Sequence, residues 1–178
     1  RPQAGALVPF PSWSRPPPRG GSPSTMNERL FRPVDIAPLV FFRIVGPALI
    51  AMECAGHALT PFRQPYVEAS FHLSWSLTPW LTAGPPPLVY AHMAANVVAA
   101  ILVAIGCSYR VAAVALALGL AALVAMEQTA YINHTYLYAL YAAIFAAIPA
   151  NGAVSLDAKR RPQIARSTVP AWCLYLLR

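Results

Sequence analysis

"LVYAHMAANVVAAILVAIG", residues 88–106, and "VAAVALALGLAALVAM", residues 111–126, stand on either side of the short stretch "CSYR". An α-helix rises 1.5 Å per residue, so an apolar run of about 20 residues matches roughly 30 Å of hydrocarbon. Two such runs joined by a few residues predict a pair of membrane-crossing helices turning back on each other. The run over 111–126 is the least polar of the chain. This pair fixes the solvent against which every other residue is judged.

Working outward, the composition agrees. Of 178 residues, 57% are apolar and 11% are charged, with a mean hydropathy of +0.50. A soluble domain carries about 25% charged residues. A further apolar run, "LVFFRIVGPALIAMECAGHAL" (39–59), predicts a first crossing with a kink at Pro47. A fourth begins near Tyr131 or Tyr136 and ends at Pro149, and "VPAWCLYLLR" (169–178) reads as the start of a fifth. The expected fold is therefore all-α: a polytopic transmembrane helix bundle with about four full crossings. Residues 1–28, rich in Pro, Gly and Arg, read as a disordered arm, with Met26 a candidate natural start. Residues 29–178 form the membrane domain, expected to be incomplete at its C-terminus.

A net charge of +7 could suggest nucleic acid, but the basic residues cluster in the arm and in "DAKRRPQIAR" (157–166), with no nucleic-acid-binding signature beside them. Positive-inside sorting and anionic lipid account for that pattern better. A cytoplasmic N-terminus puts ten basic residues inside and Arg63 outside. The segment 60–87, rich in Trp, Phe and Pro, then lies on the outer face as an irregular or re-entrant cap. The cysteines, Cys54, Cys107 and Cys173, are far apart and read as small core residues.

Few polar residues enter the apolar runs, and insertion of a charge there costs about 2.5–3.5 kcal/mol, so each asks for a partner or a role. Arg43, Glu53 and His57 share an arc of roughly 80° on the first helix and can face the bundle together. The alternative is that Arg43 and Glu53 reach to opposite interfaces. His92 and Asn96 repeat a one-turn spacing on the second helix, where an ordinary interhelical hydrogen bond would also explain them. Glu127, Asn133 and His134 flank the turn between the third and fourth helices and can point into one outward-facing cavity; an ordinary polar turn is the alternative. No two histidines share ligand spacing, so no metal is expected. GxSxG, HExxH and a phosphate-cradling Gly-rich loop are all missing from the sequence.

In series, "LFRPVDIAPLVFFRIVG" (30–46), "YVEASFHLSWSLTPW" (66–80), "GCSYR" (106–110), "INHTYLY" (132–138), "SLDA" (155–158) and "VPAWCLYLLR" resemble the membrane domain, called HTTM, of vitamin K-dependent gamma-carboxylases and their bacterial relatives. The resemblance implies an integral membrane enzyme, a carbon–carbon lyase. It oxidises reduced vitamin K or a related quinol with oxygen and uses the resulting base to carboxylate glutamate in a protein substrate. It also implies that His134 assists deprotonation of the quinol, with Asn133 as its neighbour. Glu127, Glu53, His57 and His92 are the remaining candidates for the quinol site. The family's lysine base lies beyond the "LLR" position, and Lys159, the one lysine here, sits on the basic inner loop. The competing expectation is a non-catalytic bundle, a scaffold or lipid- or quinone-binder that partners another protein.

Overall fold

The computed structural model describes residues 25–59, 64–131 and 133–177. Most of the expected arm lies outside the described residues. Its last residues enter α1 (Met26–Phe31), where the side chains of Thr25 and Glu28 each accept the other's backbone N–H. There follow β1 (Pro33–Asp35), α2 (Ala37–Leu59), α3 (Gln64–Val67), α4 (Pro86–Ile105), α5 (Tyr109–Met126), α6 (Asn133–Ala147), α7 (Leu156–Arg160), β2 (Thr168–Pro170) and α8 (Trp172–Tyr175).

Local chemistry sets the ends of the long helices. Asp35 accepts the Ala37 N–H at 2.7 Å and opens α2, which runs on through Pro47. α4 begins at consecutive prolines, whose missing N–H groups cost nothing in a first turn, and stops at Gly106, which takes the left-handed conformation at φ 67°. Asp157 opens α5, accepting the N–H groups of Ser108 and Tyr109 at 2.9 Å each. α2, α4 and α5 are each long and apolar enough to cross a membrane. α6 has 15 residues, about 22 Å, so it falls short of the full fourth crossing that the sequence suggested. It still lies antiparallel along α5, as the 2.7 Å bond from Tyr109 Oη to the Phe145 carbonyl shows.

Each helix packs only one stripe inward. On α5 the buried positions are Tyr109, Ala112, Ala113, Leu116, Leu120 and Leu123; on α4 they include Val89, Met93, Asn96, Ala100 and Val103. The opposite faces expose Val98, Ile101, Ile105, Val111, Val114 and Leu118. Helices apolar on every face suit a lipid solvent, and in water such a surface would be a liability. α2 packs on α4, α4 on α5 and α5 on α6, whereas α2 and α6 barely touch.

The two ends of the bundle differ. At one end β1 and β2 form an antiparallel pair, Val34 opposite Val169, which was not expected from the sequence. Ile36 N–H to Ser167 O and Ala171 N–H to Arg32 O extend it. α7 and the basic residues Arg110, Lys159, Arg160, Arg161 and Arg166 lie at this same end. At the other end the segment after α3 runs irregularly to Pro85 and folds over the C-terminus of α5, as a cap. Tyr66 Oη, Trp75 Nε1 and Thr78 Oγ1 donate to the carbonyls of Leu123, Val124 and Ala125.

Candidate functional site

At the cap end, residues far apart in sequence meet on one oxygen. Glu53 and His57 are one turn apart near the end of α2, and the His57 Nε2 lies 3.1 Å from Glu53 Oε1. His134, in the first turn of α6, brings its own Nε2 to 2.9 Å from the same oxygen. His57 is buried, while the side chains of Glu53 and His134 remain 35% and 43% exposed. The His134 ring also leans on Tyr138, one turn along α6, with centroids 5.7 Å apart. An imidazole that donates Nε2–H to a carboxylate keeps Nδ1 as its basic nitrogen, and the carboxylate stabilises the imidazolium formed on protonation.

One turn toward the middle of the bundle, the weakly packed seam between α2 and α6 opens into an apolar cavity of about 220 Å³. Phe42, Leu49 and Ile50 line it from α2, and Tyr138, Tyr141 and Phe145 from α6. Leu49 and Tyr138 are each one turn from Glu53 and His134, so the cavity adjoins the polar cluster.

The other sequence candidates fall elsewhere. Asn133 is the exposed first residue of α6, beside the cluster. Glu127 is fully buried and fastens the cap. Its Oε2 takes the His72 Nδ1 at 2.8 Å, and its Oε1 takes Thr129 Oγ1 at 2.7 Å and the amides of Thr129 and Leu73. Burial pushes this carboxyl up, but the hydrogen bonds from Thr129, His72 and Leu73 outweigh it and hold it below the usual carboxylate range. With both oxygens engaged, Glu127 has a structural occupation that its position in the sequence did not reveal.

His92 donates Nε2–H to the Gly119 carbonyl at 2.9 Å and so ties α4 to α5. Asn96, one turn on and buried, lies with its Oδ1 directly over Gly119, in the space a Cβ would need. Arg43 is fully buried at the basic end, about ten residues along α2 from the cluster. It donates to the Val154 carbonyl and packs against Gly106. The arc of Arg43, Glu53 and His57 thus faces the bundle, but serves two different ends. His72 and Tyr138 were missed in the sequence: His72 lies outside the apolar runs, and Tyr138 reads there as one more aromatic residue of the fourth run.

Three helices of membrane length, apolar on their outer faces, define an integral membrane protein, and a histidine–carboxylate cluster stands at one end of the seam between α2 and α6. The HTTM-domain family model matches residues 31–178. The chain belongs to that family, the membrane domain that the gamma-carboxylases share. No curated protein and no solved structure matches it.

Proposed function

We propose that the cap end of the seam between α2 and α6 binds a lipophilic quinol, of the reduced vitamin K type, and removes its hydroxyl proton. The observation that carries this reading is His134 held by Glu53, each one helical turn from a residue that lines an apolar cavity. A quinol with an isoprenoid tail needs both features: apolar walls reached from lipid, and a proton acceptor beside its ring. When bound, it supplies the oxidisable ring whose reaction with oxygen gives an epoxide.

The chain's own residues supply position and proton transfer. Glu53 Oε1 accepts Nε2–H from His134 and sets its tautomer, so that Nδ1 receives the hydroxyl proton; His57, on the same oxygen, steadies the carboxylate. Phe42, Leu49 and Tyr141 keep water from the tail and from the anion formed. Addition of carbon dioxide to a glutamate of a protein substrate is the family's further step and rests on the resemblance alone.

The test is epoxide formed from reduced vitamin K under oxygen, per folded molecule in lipid nanodiscs, using the natural protein that carries this chain. His134→Ala should lower it by about 10²- to 10⁴-fold, the usual contribution of a positioned acid–base group. Unchanged turnover per folded molecule would remove His134 from the chemistry. A wild type without turnover would favour the non-catalytic quinone- or lipid-binding bundle.

A further inference from the structure

Independently of that reading, the basic end of the bundle holds a second site. Where α5 begins and α6 has ended, a cavity of about 380 Å³ opens between the helix ends and the segment that follows. Arg110, Arg161 and Arg166 stand on its wall together with Tyr109, Asn151 and Asp157. Arg161 and Arg166 belong to the basic run 157–166 and Arg110 to the distant turn 106–110, so nothing in the sequence brought them to one cavity.

Charge in this cavity is unbalanced by construction. Asp157 is the one carboxylate among the lining residues, and its oxygens accept the N–H groups of Ser108 and Tyr109 and the Asn151 amide, the last at 3.2 Å. Burial raises this carboxyl, and the bonds from Tyr109, Asn151 and Ser108, with the nearby Arg161 charge, bring it down further than burial lifts it. Asp157 is therefore an ionised group occupied with opening α5, leaving three guanidiniums to one carboxylate. Arg166 is also built in: its amide donates to the Gly152 carbonyl at 2.9 Å, and its stem lies across Gly152 where any Cβ would collide. Its head is thereby steered along the wall.

Depth selects the ligand. The cavity sits immediately beyond the ends of membrane-length helices, the level of phospholipid headgroups, and guanidiniums pair with phosphate oxygens two at a time. We propose that this cavity binds the phosphate of an anionic phospholipid, with Arg110, Arg161 and Arg166 as its ligands.

Native mass spectrometry of the full chain released from mixed micelles tests this, with phosphatidylglycerol competing against phosphatidylcholine. The wild type should retain phosphatidylglycerol in preference by roughly tenfold or more. Arg110→Gln with Arg161→Gln should abolish the preference, and Arg161→Gln alone should reduce it, which covers the event that the double variant folds poorly. Lys159→Gln with Arg160→Gln removes the same charge from α7 outside the cavity and should leave the preference intact. Equal losses in the cavity pair and the α7 pair would show only general surface attraction and overturn the site. Free glycerol phosphate is the second competitor. Displacement of the lipid by it at equal concentration would reassign the cavity to a soluble phosphate compound and overturn the lipid proposal.

Discussion

Gly119 stands in the middle of the least polar run, 111–126, where a glycine costs about 1 kcal/mol of helix propensity and looks accidental. The reason for it lies on the neighbouring helix: Asn96 Oδ1 occupies the space of the missing Cβ, and His92 reaches the Gly119 carbonyl. Gly119→Ala should therefore destabilise the bundle by about 1–3 kcal/mol, the usual penalty of overpacking. Thermal unfolding in detergent measures it, and pairing the change with Asn96→Ala should restore most of the loss, since the obstacle then goes. A double variant as unstable as Gly119→Ala would show that Asn96 is not the obstacle. His134 and Glu53 were legible as polar residues in apolar surroundings. That His134 meets the Glu53 carboxylate was not, because 81 positions separate them and only packing brings them together.

At the scale of elements, the sequence exposed what repeats along the chain and concealed what is closed by single contacts. Apolar runs gave the long helices with ends within a few residues, because a membrane span needs continuous length. The β1–β2 pair was hidden: three-residue strands carry no period, and both contain proline. The cap was read as irregular and interfacial, yet its anchor, Glu127 with His72 and Leu73, joins residues of no common motif. Because the hydrogen bonds hold the Glu127 carboxyl below its ordinary value of 4.5, they favour the charged form in the folded state. Their contribution is complete above pH 4.5 and is lost as pH falls through the lower, folded value. Hydrogen exchange at the Leu73 amide should accordingly stay slow from pH 8 to about 5, after correction for intrinsic rates, and rise at lower pH. Glu127→Gln should speed it throughout and flatten the dependence; a wild-type profile equally flat would deny the carboxylate this role.

For the whole molecule, the separation of the basic end from the aromatic cap carries the orientation. Lys and Arg near the ends of spans are retained on the cytoplasmic side, so we expect the end bearing Arg110, Lys159, Arg160, Arg161 and Arg166 to be cytoplasmic and the cap outside. A cysteine at Thr82, in a background without Cys54, Cys107 and Cys173, should react with an impermeant maleimide only from outside; reaction from the cytoplasmic side would invert the molecule. The strand pair adds a consequence in time rather than in space. Val34 and Val169 are neighbours in the sheet but 135 positions apart in the chain, with every long helix between them. A ribosome releases β1 long before it makes β2, and loops that long close late. The helices must therefore insert and pack in order, each on the one before, while the edge of β1 waits unpaired. The seam between α2 and α6, first and last of the series, is the final one that synthesis can close.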